Sequence, residues 1–146
     1  MEIRTEKRIV EQLINTYIAF DGKEFDTKVD CENYEREIES KKIRTEAEKF
    51  EIKELNDTYP LDVDGGEIME NHCYKWYRVN NAEELNTVAI FHNANIGEFE
   101  TYPQTICVEY DYYYDEFVWL YSLSDMKKGT IEFWKKHGFD VEFKEV

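Results

Sequence analysis

Apolar and polar positions along this chain change period several times, and each change marks an element. In TYIAFDGKEFD (16–26) the apolar residues alternate through Tyr17, Ala19 and Ile18, Phe20. Asp21-Gly22 then favours positive φ, and Phe25 brings the chain back. That is the pattern of a β-hairpin. Upstream, Ile9, Val10, Leu13, Ile14, Tyr17 and Ile18 also fit a helical face. The β-branched residues and the turn that follows favour strand from about Ile14. DTKVDCENYEREIESKK predicts a helix. Thr27 and Asp30 form a capping box, and Cys31, Tyr34 and Ile38 make a stripe at three- and four-residue spacing. Beyond Ser40 the stripe loses register, and 41–56 fits either a continued helix or a strand through Phe50 and Ile52. Pro60 and Gly65-Gly66 mark a loop.

The second half is more regular. CYKWYRV (73–79) alternates as a strand. Asn81 and Glu84 stand as N-cap and N3 of a helix that presents Leu85, Val88, Ala89 and His92 on one face. A loop through Gly97 and Pro103 leads to the strand QTICVEYD. The strand EFVWLYSLS follows, with Phe117, Trp119, Tyr121 and Leu123 on one face and Val118 and Leu120 on the other. A helix opens at Ser124 or Asp125, with Met126, Thr130, Phe133, Trp134 and His137 inward and Gly138 ending it. FDVEFKEV is expected as a last strand. The fold class is therefore α+β. A β-hairpin-helix module (1–56) and a loop (57–71) precede a ferredoxin-like βαββαβ domain (72–146) with a four-stranded antiparallel sheet.

Charge changes this picture more than composition does. There are 33 Asp and Glu against 18 Lys and Arg, a net charge of −15. Such a chain repels nucleic acid and anionic membranes. From Glu54 to Met126 stand 15 carboxylates and only two basic residues, Lys75 and Arg78, so the middle of the chain is expected to present a negative surface. Solubility alone is a sufficient reason for surplus acid. The N-terminal MEIRTEKRIVEQ has no apolar signal-peptide core, and three separated cysteines (Cys31, Cys73, Cys107) suit reduced thiols, so a cytoplasmic setting is expected.

The chemistry-bearing residues form no catalytic signature. His72, His92, His137 and the cysteines lack metal-ligand spacing. DVDGGE (62–67) puts Gly66 and Glu67 where a calcium loop needs a ligand and a glycine. Carboxylates are too many for any pair to stand out, and Ser122 and Ser124 lie in no nucleophile elbow. No metal or other cofactor is expected. Base stacking on Trp76 and Trp119 is opposed by Glu109, Asp111 and Glu116 nearby. The composition of VEYDYYYDEF and of NIGEFETY instead matches a protein-binding surface. Carboxylates offer a phosphate-like field, and tyrosines add contact area at low entropic cost. The expected partner-binding residues are Glu98, Glu100, Asp111, Tyr112, Tyr113, Tyr114, Asp115 and Glu116. Three consecutive tyrosines cannot all point inward from one strand, so at least one is expected at the surface.

Residues 17–35, read as Tyr17-x-Ala19-x-Asp21-Gly22-x-x-Phe25 and then Cys31-x-x-Tyr34-Glu35, resemble a signature of small phage and mobile-element proteins of Gram-positive bacteria. CYKWYRVNNAEEL through FWKKHGFDVEF is similar to an element of the same proteins. Some of them look like anti-defence factors, including anti-CRISPR inhibitors. The resemblance implies origin more than mechanism; joined to the charge segregation over 54–126, it leads to the expectation of a phage-derived, non-enzymatic inhibitor of a basic, nucleic-acid-handling host protein, with a CRISPR effector such as Cas9 the most specific candidate. A neutral interaction module and a small enzyme working near one of the histidines are the rival expectations.

Overall fold

A computed structural model describes residues 1–58 and 71–146. DVDGGE and most of the expected 57–71 linker lie outside the described residues. The chain divides into two compact units, Met1–Ser40 and Lys41–Val146.

In the first unit the hairpin forms as the sequence predicts, but it is shorter. Strands β1 (Tyr17–Ile18) and β2 (Glu24–Phe25) pair antiparallel. The strand expected from Ile14 begins only at Tyr17, and residues 1–16 carry no helix or strand. Gly22 takes φ +89°, and its N–H donates to the Ala19 carbonyl at 2.8 Å. The long helix α1 spans Lys28–Glu48. The Thr27 hydroxyl accepts from the Asp30 N–H at 3.1 Å and donates to the Asp30 carboxylate at 2.7 Å. Thr27→Ala is expected to cost about 1 kcal/mol of helix stability, read as faster amide exchange in the first turn of α1.

Most residues of the 17–35 motif have a structural duty here. The Tyr34 hydroxyl donates to Asp21 at 2.8 Å, and its ring lies 5.1 Å from that of Phe25. Glu35 accepts the Phe20 N–H at 2.9 Å, and Ala19 and Cys31 are buried. The Lys23 ammonium sits 4.2 Å from the Tyr34 ring centre. The signature thus clips a hairpin to the start of a helix.

In the second unit, the helix alternative for 41–56 holds as far as Glu48, and the strand alternative is reduced to one isolated bridge. α1 runs on to Glu48, and the chain then extends beside strand β3 (His72–Val79), with a bridge between Glu51 and Tyr77. Ile52 N–H donates to Trp76 O (2.7 Å), Arg78 N–H to Phe50 O (2.8 Å) and Asp57 N–H to Tyr74 O (2.8 Å), around a short 3-10 turn at Lys53–Leu55. Helix α2 (Ala82–Phe91) opens with the expected reciprocal cap. The Asn81 side chain accepts the Glu84 N–H at 2.9 Å, and Glu84 accepts the Asn80 N–H at 2.7 Å. Strands β4 (Gln104–Asp111) and β5 (Glu116–Ser122) and helix α3 (Leu123–Lys136) complete the unit.

The class is α+β, but the ferredoxin-like, four-stranded sheet is not what the described residues build. They form a three-stranded antiparallel sheet of order β3-β4-β5. β4 runs back alongside β3, from Val79↔Gln104 to His72↔Asp111, so α2 is an excursion between antiparallel neighbours and not a crossover. A ferredoxin-like fourth strand belongs on the outer edge of β3, and residues 50–57 already hydrogen-bond there. The expected strand FDVEFKEV is consequently not a strand.

A second correction concerns β5. Its register shifts between Glu109 and Tyr110, so that Trp119 pairs with Glu109 and Phe117 with Tyr110, leaving Val118 as the extra residue. A bulge flips the alternation on one side of it. Phe117 therefore joins Leu120, Tyr77, Val79, Leu85, Val88, Ile106 and Val108 in the main core, while Tyr121 and Leu123 pack with Tyr74, Trp76 and Cys107 on the other face. The α3 face is corrected as well. Its first turn reaches that second cluster through Met126, but Phe133, Trp134 and His137 are exposed.

Candidate functional site

The β4–β5 hairpin carries most of the expected site, and the structure sorts its residues into two classes. Alternation along β4 turns Glu109 and Asp111 to the same face as His72 and Tyr74 of β3, which pair with them across the sheet. Both carboxylates are buried. Glu109 accepts from Tyr121 Oη at 2.7 Å and from Tyr74 Oη at 3.1 Å, and its Oε1 lies 2.7 Å from His72 Nδ1. Burial would raise the Glu109 carboxyl, but the hydrogen bonds from Tyr121, His72 and Tyr74 outweigh it and hold the group below its ordinary range. The other ring nitrogen, His72 Nε2, lies 3.3 Å from Asp111 Oδ2.

Asp111 has a further duty. Its Oδ1 accepts the N–H of Tyr113 at 2.9 Å and of Tyr114 at 3.1 Å. This side-chain turn fixes the hairpin tip. The Tyr112 N–H donates to the Asn71 carbonyl at 2.9 Å. Asp111 is therefore a support beneath the tip and not part of its outer surface.

Above that support the tip is open. Tyr112, Tyr113 and Tyr114 are 60%, 70% and 69% exposed, so all three face solvent where at least one was expected. Tyr113 and Tyr114 pack edge to face, with ring centres 5.0 Å apart. Asp115, at φ +54°, accepts a hydrogen bond from the Tyr110 hydroxyl. That bond pushes the Tyr110 hydroxyl up to about 12. Asp115 and Glu116 are exposed.

Glu98 and Glu100 are also exposed, but they sit elsewhere. Glu98 lines a cavity of about 230 Å³ with Ala82, Asn86, Ala89 and Asn95, along α2 from its first turn. That turn follows Val79, the residue paired with Gln104. The tyrosine tip lies at the other end of β4, roughly 24 Å of strand away. The single acidic surface expected over 98–116 is thus two patches. Among the described residues, no Lys or Arg forms an ion pair with Glu98, Glu100, Asp115 or Glu116. The two basic residues of the central segment are engaged elsewhere: Lys75 lies 5.8 Å from the Phe91 ring centre, and Arg78 donates to Thr105 at 2.8 Å.

The histidines occupy three different settings. His72 lies between two carboxylates. His92 is buried and shares a 2.7 Å hydrogen bond with the Tyr77 hydroxyl. Burial, with Lys75 adding to it, drives His92 down to about 4. His137 is exposed, with Nδ1 2.9 Å from the Phe133 carbonyl. None of the three lines the Glu98 cavity. Among the described residues no group of three His, Cys, Asp or Glu is placed to hold a metal ion, and no helix is long and apolar enough to cross a membrane.

The His72–Glu109–Tyr121 network is the feature that sequence reasoning missed. Its signal was the polar alternation of His72 and Tyr74 against Glu109 and Asp111, which has meaning only once β3 and β4 are known to be neighbours. Comparison with protein-family models, with curated proteins and with solved structures finds no match for this chain.

Proposed function

We propose that this protein is a non-enzymatic inhibitor that occupies a basic, nucleic-acid-binding groove of a partner protein with the tip of its β4–β5 hairpin. The observation that carries this reading is the exposure of Tyr112, Tyr113 and Tyr114 together, beside exposed Asp115 and Glu116, which among the described residues form no ion pair with a Lys or Arg. Exposed aromatics next to carboxylates on a fixed turn match the composition of binding hot spots. A net charge of −15 speeds encounter with a basic groove and repels its nucleic acid. The phage-like signature at 17–35 supports an anti-defence setting, with a CRISPR effector such as Cas9 as the first partner to try.

The test is inhibition of DNA cleavage by such effectors, with binding measured across salt concentrations. Asp115→Asn with Glu116→Gln is expected to weaken binding about tenfold and to flatten its salt dependence. Asn is at home at the positive φ of residue 115, so the hairpin is retained. Glu98→Gln with Glu100→Gln tests the second patch on its own. Unchanged affinity and salt slope in the first pair would remove the tip from the binding surface.

A further inference from the structure

Beside the tyrosine tip runs an edge that natural sheets usually guard. β5 is the last strand in the order β3-β4-β5, and among the described residues Phe117, Trp119 and Leu120 pair only on their β4 side. An edge strand directs a row of N–H and C=O groups outward, and proteins blunt it with lysine, proline, a bulge or a covering element. β5, EFVWLYS, contains no lysine or proline, and Glu116 is its only charge. Among the described residues, the guard it carries is the bulge at Val118. Trp119 stands 61% exposed in the middle of the strand. Large exposed aromatics of this kind mark interaction surfaces.

Charge selects the occupant. A second copy of this chain would bring the same −15, and like-charged bodies of that magnitude repel. A strand bearing lysine or arginine meets Asp115 and Glu116 where β5 begins, with no basic residue on β5 to oppose it. We propose that the outer edge of β5 takes up an extended, lysine- or arginine-bearing segment of the partner as an added strand, with Trp119 covering its apolar positions. This rests on the inhibitor reading above and adds the binding mode. Backbone pairing supplies affinity, alternate side chains supply selectivity, and the acidic tip fixes the end of the register.

The probe is a soluble alternating Lys-Val peptide about as long as β5. The control has the same composition with prolines interspersed. On adding the alternating peptide at low salt, amide exchange is expected to slow at Phe117 to Leu120, and the control should leave those amides unchanged. Trp119→Lys, at an exposed position, is expected to lower peptide affinity at least about tenfold, as for a tryptophan at the centre of an interface. Three results overturn the proposal: equal protection by the proline control, peptide binding that protects only 112–116, or no binding at all. Binding confined to 112–116 leaves the electrostatic reading intact and removes only strand addition. Protection of 117–120 that grows with protein concentration, without peptide, assigns the edge to a second copy instead.

Discussion

Glu109→Ala is expected to lower stability by about 3–5 kcal/mol, the cost of removing one partner from a buried, charge-assisted cluster. The variant leaves the Tyr74 and Tyr121 hydroxyls and His72 Nδ1 without their shared acceptor. Those donors join β3 to β5 through a side chain of β4, so the loss loosens the whole sheet. Glu109→Gln keeps an acceptor of the same shape and removes the charge, and it should cost less. Glu116→Gln, at an exposed carboxylate of the same hairpin, should change stability by less than about 0.5 kcal/mol. Urea unfolding at neutral pH measures all three, with an unchanged m-value as the check that only stability has moved. A Glu109→Ala midpoint beside that of the wild type would show that the network carries no stability. Acidity gives an independent reading. The Glu109 carboxyl is held below its ordinary 4.5. Its contribution is therefore complete above that pH and fades as the pH falls through the depressed native value.

The same residue shows where sequence reading stops. Rules confined to a few neighbouring residues worked. The Asp21-Gly22 turn, the Thr27–Asp30 box and the Asn81–Glu84 cap each depend on contacts three or four positions apart. Strands near 73–79, 104–111 and 116–122 followed from alternation alone. What failed needed a partner far along the chain. Glu109 and Asp111 read as solvated acids until the β3–β4 register sets them against His72 and Tyr74. FDVEFKEV alternates like a strand, but residues 50–57 hold the edge it was assigned. Phe117 has the parity of Trp119 in sequence, and one bulged residue puts it in the opposite core.

The candidate site was legible in composition and not in geometry. The run of tyrosines announced exposure, because a strand alternates and cannot bury three neighbours on one face. Sequence alone sets Asp111 with the outward acids, because nothing local distinguishes it from Asp115. The difference lies in its two backbone hydrogen bonds to Tyr113 and Tyr114, which belong to the turn. Composition places Glu98 and Glu100 with the tip, and the length of β4 separates them from it.

His92 carries the second large effect, and its sign is fixed by burial. Desolvation holds the imidazole down at about 4, against 6.5 in an exposed histidine. Between those values the unfolded chain binds a proton that the native state does not. Stability is therefore complete above pH 6.5 and is lost as the pH falls, by about 1.4 kcal/mol per pH unit and about 3 kcal/mol in all. The packing explains why the native state refuses the proton. Tyr77 shares the hydrogen bond at Nε2, the rings of Phe91 and Tyr110 lie 4.7 and 5.9 Å away, and Lys75 is the charge that acts on the ring. Among the described residues, the charge a cation there would face is a lysine and not a carboxylate. Neutralising the surplus acids works in the opposite direction, because it relieves self-repulsion as the pH drops. The comparison must therefore be between variants. His92→Gln keeps a hydrogen-bonding group toward Tyr77 and cannot titrate, so its stability should fall less steeply from neutral pH to about pH 5 than that of the wild type. Parallel pH profiles for the two proteins would mean that His92 accepts its proton in the folded state as readily as in the unfolded one, and the buried, neutral imidazole would have to be given up.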